Sequence, residues 1–247
     1  MEQIVVLITA LIAAVLSSMS GGGTGIIIFP VFLSLGMSFP LVSAISSVMS
    51  AFWVLPASRN YLKGRAVDWR FIIIFSIIGL VGCYFGVLLI TSVNQRILET
   101  SVGVIILLLV AYTYFKKDIG LAEHKIYSPF RQALAYPFAL LSGFYETFFG
   151  SGNGIAVTIL TFYTKGFDFI AGLGHYYVIS FTWSLFSAIL LIQKGYFDLS
   201  LMTFAVIGSL TGAYIGSRYA RNKGNRFIKI VFVIIGIILG LKLVIGF

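Results

Sequence analysis

The sequence is poor in charge and in cysteine. Only 10% of its 247 residues are charged, against about 25% in globular domains, and 59% are hydrophobic. A chain with a mean hydropathy of +1.03 cannot cover its whole surface with polar side chains, so we predict an integral membrane protein. The one cysteine, Cys83, excludes an intrachain disulfide and a cysteine metal cluster.

Acidic residues are fewer than basic ones, and the formal net charge is +9. In a soluble protein this excess would suggest nucleic acid as a partner. Here the charges lie between apolar segments, where basic residues set the orientation of a membrane protein and contact anionic headgroups. We therefore expect the lipid bilayer, and no nucleic acid, as a partner of this chain.

Ten apolar segments are present, and the second five repeat the order of the first five. They cover about residues 4–20, 25–36, 40–58, 70–91 and 97–115, then about 131–149, 154–164, 170–192, 198–217 and 227–246. Landmarks recur at an offset near 130, such as Trp53 with Trp183. The pattern indicates an internal duplication.

The second segment of each half is too short to cross a membrane. Eleven or twelve residues of helix extend about 17 Å, whereas the hydrocarbon core of a bilayer is about 30 Å thick. We expect the first two segments of each half to form a hairpin that returns to the side it came from. Three spanning segments follow each hairpin, so the second half should be inverted relative to the first.

The basic residues agree with this inversion. With both termini outside the cell, fourteen of the seventeen lysines and arginines lie on the cytoplasmic side. The opposite orientation would break the positive-inside rule. We predict an all-α polytopic membrane protein with two inverted repeats of about five helical segments each. Its parts are a first repeat at 1–115, a cytoplasmic linker at 116–130 and a second, inverted repeat at 131–247.

Two glycine-rich breaks interrupt the apolar segments at equivalent places. A glycine inside a helix costs about 1 kcal/mol relative to alanine, and paired breaks in two halves are typical of a transporter binding site. A helix starting at each break has free N–H groups and a partial positive charge. Two such starts that meet near the midplane would bind an anion. The candidate ligands are Gly22, Gly23, Thr24 and Gly25, with Ser151, Gly152, Asn153 and Gly154.

The alternative for any membrane glycine is close helix packing. We favour packing for the three pairs of glycines at i and i+4, and ligand binding for the two breaks, because the breaks are clustered, paired and followed by short helices. The packing pairs are Gly82 and Gly86, Gly212 and Gly216, and Gly236 and Gly240.

Glu146 is the only acidic residue well inside an apolar segment, four positions before the second break. A buried charge costs at least about 2.5–3.5 kcal/mol there, which makes Glu146 a functional candidate. One role is proton coupling; the alternative is a neutral Glu that caps freed backbone groups. The corresponding first-half position is Ser17. His175 could bind the anion or carry a proton with Glu146, or it could be a packing residue.

The run from Ser20 to Val31, Ser-Gly-Gly-Gly-Thr-Gly-Ile-Ile-Ile-Phe-Pro-Val, resembles the glycine-rich signature of the sulfite exporter TauE/SafE family, also called toluenesulfonate uptake permeases. The length, the two broken halves and a serine-containing third segment are similar too. The resemblance implies secondary transport of small sulfur-containing or organic anions across the bacterial inner membrane. It also implies that the serines of the third segment face the first break. We therefore place the other side of the site at Ser46, Ser47, His175 and Tyr176.

The leading hypothesis is a secondary anion transporter, which is not an enzyme. The sequence has no Walker motif, so we expect the substrate gradient, protons or sodium as the driving force, with no cofactor or metal. A passive anion channel on the same scaffold is one alternative. A second is an intramembrane serine protease with Ser151 as nucleophile and His175 as base, although a single Gly-Ser-Gly is a weak signal.

Overall fold

The computed structural model is helical, and it describes residues 2–22, 24–89, 95–115, 119–122, 128–148 and 152–245. The helices are α1 (Glu2–Ser20), α2 (Thr24–Ser34), α3 (Phe39–Leu62), α4 (Trp69–Leu89), α5 (Gln95–Phe115), α6 (Pro129–Ala133), α7 (Tyr136–Phe148), α8 (Asn153–Lys165), α9 (Phe169–Gln193), α10 (Leu199–Lys223) and α11 (Asn225–Ile245). Six of the described helices are long and apolar enough to cross a membrane: α1, α3, α4, α9, α10 and α11. The prediction of an all-α polytopic membrane protein is confirmed.

The lengths of the helices follow local sequence features. α2 has 11 residues and α8 has 13, as the short apolar segments predict. The segment predicted at 131–149 is instead divided into α6 and α7. Pro137, the second residue of α7, explains the division, because proline has no N–H to continue the helix from α6.

The helix packing repeats when each helix is exchanged for its counterpart in the other half. α1 packs against α10 and α7 against α4, while α3 packs against α9 and α5 against α11. Glycines bring the first two pairs together: a Cβ on Gly82 would lie 2.0 Å from the Leu140 carbonyl oxygen, and one on Gly212 would lie 2.2 Å from that of Leu11. The packing role predicted for these glycines is confirmed, and the pattern supports a duplication.

The contacts define two ends of the helical bundle. At one end Arg221 donates a 2.7 Å hydrogen bond to the Lys63 carbonyl oxygen, which brings α10 to the α3–α4 loop. We call it the basic end. At the other end Gln3, near the start of α1, donates a 2.7 Å bond to Ser200 at the start of α10. We call it the terminal end.

Helices α3 and α9 run in opposite directions between these ends. Gly174, near the start of α9, lies against Leu62 at the end of α3. The end of α9 reaches the other end of the bundle, where Lys194 donates a 3.2 Å bond to the Val87 carbonyl oxygen at the end of α4. This direction is the one expected for inverted repeats, whose orientation in the bilayer stays a prediction.

Candidate functional site

The first break ends α1 with two glycines in conformations that other residues rarely adopt. Gly21 has φ 83° and Gly22 has φ 141°, so the chain turns without the steric cost that a Cβ would bring. The Ser17 carbonyl oxygen accepts a 3.0 Å bond from the Gly21 N–H, and side chains add further bonds at this helix end. Tyr177 donates a 2.9 Å bond to the Ser17 carbonyl oxygen, and Tyr61 donates a 2.8 Å bond to that of Ser18. Tyrosines of α9 and α3 therefore hold this end in the protein interior.

The second break leads into α8 through Gly152, which has φ 83°. Asn153 then begins the helix, and its side-chain amide spans back to α7. The amide donates a 3.0 Å bond to the Ser142 carbonyl oxygen and a 2.6 Å bond to Glu146 Oε2. The carboxylate of α7 is thus tied to the first residue of α8.

The two breaks touch one another inside the protein. A Cβ on Gly154 would lie 2.0 Å from the Gly21 carbonyl oxygen and 2.7 Å from the ring of Tyr176. Only glycine permits this approach, since a Cβ at such distances would push the backbones apart. The described contact joins the end of α1, at Gly21, to the start of α8, at Gly154. The predicted meeting of the starts of α2 and α8 stays a prediction.

Glu146 lies at the centre of a polar cluster formed by three helices. Oε2 accepts the bond from Asn153 of α8 and a 2.8 Å bond from the Tyr176 hydroxyl, while Oε1 accepts a 2.6 Å bond from the Ser180 hydroxyl. Among the described residues, no lysine or arginine forms an ion pair with Glu146. Three neutral donors thus surround a carboxylate beside the start of a short helix.

The other predicted ligands occupy several positions. Thr24, Ser46 and Ser47 are buried on α2 and α3, with Gly22 and Gly25 buried at the first break. Gly23 and Ser151 lie outside the described residues. The contacts thus bring Glu146, Asn153, Gly154 and Tyr176 together, and the roles of the remaining residues stay predictions.

His175 belongs to a different set of contacts. Its Nε2 accepts a 2.9 Å bond from the Asp68 backbone N–H, so the proton lies on Nδ1, which is 2.7 Å from the Ala171 carbonyl oxygen. The ring also stacks on Phe167 at 4.3 Å between centroids. Both ring nitrogens are therefore occupied at the basic end. The predicted proton transfer with Glu146 is not supported by a described contact.

Two ion pairs cross between the α3–α4 loop and the α8–α9 turn at the basic end. Arg65 binds both carboxylate oxygens of Asp168 at 2.8 and 2.9 Å. Lys165 binds Asp68 at 2.8 Å. Arg65 and Asp68 come from the first half, and Lys165 and Asp168 from the second. We call these contacts the crossed ion pairs; they join the two halves across this end.

Both aspartates of the crossed ion pairs also begin a helix. Asp168 accepts a 2.7 Å bond from the Ala171 N–H and caps α9, and Asp68 accepts a 2.9 Å bond from the Phe71 N–H and caps α4. Burial raises the pKa of the Asp68 carboxyl, but the hydrogen bonds from Lys165 and Phe71 and the charge of Lys165 outweigh it and lower the pKa overall. Asp68 is therefore ionised at neutral pH.

A cavity of about 520 Å³ lies at the terminal end. It is bordered by the start of α1, the α2–α3 turn and the start of α10, including Glu2, Gln3, Ser38 and Asp198. The start of α1 and the end of α2 share this cavity, so the first hairpin enters and leaves at one end, as predicted.

The sequence interpretation missed Ser180 and the crossed ion pairs. Ser180 follows Tyr176 by one helical turn, and residues at i and i+4 share a helix face. The ion pairs repeat a visible pattern, a basic residue three positions before an aspartate, in both Arg65–Asp68 and Lys165–Asp168. These two spacings are the sequence signals from which Ser180 and the crossed ion pairs could be predicted.

Comparison with known proteins finds a family model and relatives that match nearly the whole chain. The family model described as Sulfite exporter TauE/SafE matches residues 6–243. A probable membrane transporter protein of Haemophilus influenzae is 29% identical over 238 residues, covering 94% of this chain and 91% of the relative. One from Sinorhizobium sp is 28% identical, covering 96% and 90%. Escherichia coli YfcA, also a probable membrane transporter protein, is 23% identical, covering 97% and 88%. No solved structure matches the chain significantly.

Proposed function

Since the chain belongs to the sulfite exporter TauE/SafE family, we propose that it is a secondary transporter whose small-anion site lies beside the two glycine breaks. One observation carries the proposal: the acid inside the membrane region, Glu146, meets three hydrogen-bond donors where the second break touches the first. The relatives are named as membrane transporters and not as enzymes.

The geometry supports a small anion because the breaks offer hydrogen-bond donors without a fixed positive charge. α2 begins at Thr24 and α8 begins at Asn153, so each presents free N–H groups and the positive end of its dipole. Neutral donors hold an anion weakly enough to release it again. Sulfite, a sulfonate or a related organic anion has the acceptor oxygens that such a site requires.

Glu146 gives the site a means of proton coupling. The ionised carboxylate repels an anion bound nearby, and protonation removes that repulsion. The hydroxyl groups of Tyr176 and Ser180 can donate or accept hydrogen bonds, so they can bind either form of the carboxyl. We therefore expect an anion and a proton to bind together and to move in the same direction.

In an alternating-access mechanism the site opens to one side of the membrane at a time, and we assign this role to the two ends of the bundle. The crossed ion pairs join the two halves at the basic end, where two cavities of about 590 Å³ lie beside other helices, whereas the corresponding segments at the terminal end border a cavity themselves. The positive-inside rule assigns the basic end to the cytoplasm and both termini to the outside. We infer that the crossed ion pairs restrict access to the site from the cytoplasmic side in this conformation.

Uptake into liposomes by the purified protein tests the proposal. With a proton gradient directed into the vesicles, we expect the wild type to accumulate sulfite or methanesulfonate above its external concentration. Glu146→Gln should retain exchange of the anion but lose the accumulation, because the side chain no longer takes up a proton. Thr182→Val is the matched control, since within the described part of the chain the Thr182 hydroxyl donates to the Ile179 carbonyl oxygen of its own helix.

The same experiment distinguishes the passive channel. Flux that is only downhill in the wild type, whatever the proton gradient, would favour the channel and refute coupling. Among the described residues the protease alternative has no supporting contact, because both nitrogens of its proposed base, His175, are hydrogen-bonded to Asp68 and Ala171.

A further inference from the structure

The polar cluster around Glu146 has a counterpart in the first half. Helices α1 and α7 correspond at an offset of 129. Gly212 lies against the Leu11 carbonyl oxygen of α1, and its counterpart Gly82 lies against the Leu140 carbonyl oxygen of α7, so Leu11 corresponds to Leu140. Helices α3 and α9 correspond at an offset of 130, from Phe39 and Phe169 at their first residues. Each member of the cluster thus has a defined counterpart. The counterparts are Ser17 for Glu146, Thr24 for Asn153, Ser46 for Tyr176 and Ser50 for Ser180.

All four counterparts carry a hydroxyl group, and none is an acid. Ser17 is fully buried, and its Oγ has no hydrogen-bond partner among the described atoms. Thr24 and Ser46 are buried as well. In the second half a carboxylate joins α7, α8 and α9, whereas no described side chain bridges Ser17, Thr24 and Ser46. Buried hydroxyls are normally paired, so the unpaired Ser17 requires an explanation.

We propose that the transported anion binds at this first-half hydroxyl cluster, with its oxygens in the place that corresponds to the Glu146 carboxylate. The inference rests on the proposed transport function. Ser17 is shorter than Glu146 and Ser46 is shorter than Tyr176, so the first half does not supply the acceptor oxygens from its own chain. The anion supplies them, and Ser17, Thr24, Ser46 and Ser50 donate to it beside the start of α2.

The chemical class of the ligand follows from the corresponding group in the second half. A carboxylate has two acceptor oxygens and one negative charge, and it is held by three neutral donors at 2.6 to 2.8 Å. Small carboxylates, sulfite and sulfonates present the same kind of group. Neutral or cationic solutes lack a charge that these donors and the α2 dipole would favour.

The proximity of the clusters links anion binding to Glu146. Gly21 lies four positions after Ser17, and Gly154 follows Asn153, and these two glycines are in contact. Tyr177, which donates to the Ser17 carbonyl oxygen, also follows Tyr176, which donates to Glu146, so we place the anion near enough to the carboxylate for their charges to interact. The ionised Glu146 weakens anion binding, and its proton restores it, so Glu146→Gln should bind the anion more tightly than the wild type at neutral pH.

Calorimetric binding of sulfite and of methanesulfonate to the purified full chain tests the inference. Each hydrogen bond to a charged ligand is expected to account for about tenfold in affinity or more, so Ser17→Ala and Ser46→Ala should each raise Kd by about that factor. Ser43→Ala is the matched control, because Ser43 is a buried serine of α3 whose hydroxyl donates to Phe39 of its own helix. Ser46→Thr keeps a hydroxyl and should recover most of the affinity.

The outcomes separate this inference from the proposed function. If the wild type binds neither anion, the transport proposal fails and the inference fails with it. If the wild type binds but Ser17→Ala and Ser46→Ala bind as tightly as Ser43→Ala, only the hydroxyl cluster is refuted. A variant whose melting temperature falls below that of the control is replaced by Ser50→Ala, at the half-buried member of the cluster, with the same expected loss.

Discussion

The basic end and the terminal end are formed by corresponding segments that are bonded differently. At the basic end, the crossed ion pairs join the α3–α4 loop to the α8–α9 turn. At the terminal end the corresponding segments border a cavity. Asp198, Leu35 and Ser38 there correspond to Asp68, Lys165 and Asp168, and Tyr196 follows the left-handed Gly195 as Arg65 follows the left-handed Gly64. Only one of the four positions has kept a charge.

The comparison separates what the duplicated fold provides from what individual side chains add. Both turns contain a glycine in the left-handed region, Gly36 with φ 85° and Gly166 with φ 77°. Ser38 and Asp168 each precede the following helix as its N-cap. The backbone is therefore alike at the two ends. The difference in bonding between them lies in the charged side chains, which variants can remove or transfer.

Reversal of the charge of Arg65 should have the largest effect. In Arg65→Glu a second carboxylate faces Asp168, whose side chain is only 5% exposed, while that of Arg65 is 27% exposed. Breaking a buried pair costs about 3–5 kcal/mol, which the partial exposure of Arg65 reduces to about 2 kcal/mol. We expect a lower melting temperature and an open basic end.

Labelling of a cysteine at Ala171 reports the opening directly. In a Cys83→Ser background, Ala171→Cys places a small buried thiol in the first turn of α9. A maleimide should react faster when Arg65→Glu is added. Lys223→Glu makes the same charge change at this end, but Lys223 lies over the Tyr219 ring instead of joining the halves. Equal labelling in the two variants would contradict the closing role.

Asp68 should have a smaller and pH-dependent effect. Because the pKa of Asp68 is lowered in the folded protein, its stabilising contribution is present above the usual carboxyl value of about 3.9 and is lost as the pH falls through the lowered pKa. Asp68→Asn should cost about 1 kcal/mol at neutral pH, since the carboxyl is partly exposed.

Melting temperatures of the wild type and Asp68→Asn, measured across pH, check this prediction. The difference should stay constant from neutral pH to about pH 5 and shrink only in more acidic solution. A difference that disappears between pH 7 and pH 6 would assign the effect to another group.

Transfer of a lysine to the terminal end should have the smallest effect. Leu35 corresponds to Lys165 and borders the same cavity as Asp198. Leu35→Lys therefore offers a cation to Asp198, and an exposed pair contributes about 0.5 kcal/mol. We expect turnover about twofold slower with an unchanged KM, because the opening of the terminal end becomes harder. Leu35→Gln is the control. Equal turnover in Leu35→Lys and Leu35→Gln would contradict the idea that charged side chains cause the difference between the two ends.

The parts of the structure that depend on local sequence were predictable. The short apolar segments predicted α2 and α8, and Glu146 stood out as one acid in an apolar segment. Among its partners, Tyr176 was predicted as a site residue only through the family resemblance and Ser180 was missed, because both come from α9, 30 and 34 positions further along the chain. The position of His175 depended on the fold as well, since Asp68 is 107 positions away. Only helix packing decides which polar side chains meet.

The pairing of α1 with α10 has a consequence for the synthesis of the protein. Gln3 and Ser200 are 197 positions apart, yet they share a hydrogen bond. The ribosome therefore produces the first helix long before its main neighbour exists. Until α10 has been synthesised, the surface of α1 that packs against Gly208 and Gly212 in the final structure contacts only lipid or the insertion machinery. Membrane insertion and final assembly are thus distinct stages, and an incomplete chain should remain inserted but unassembled.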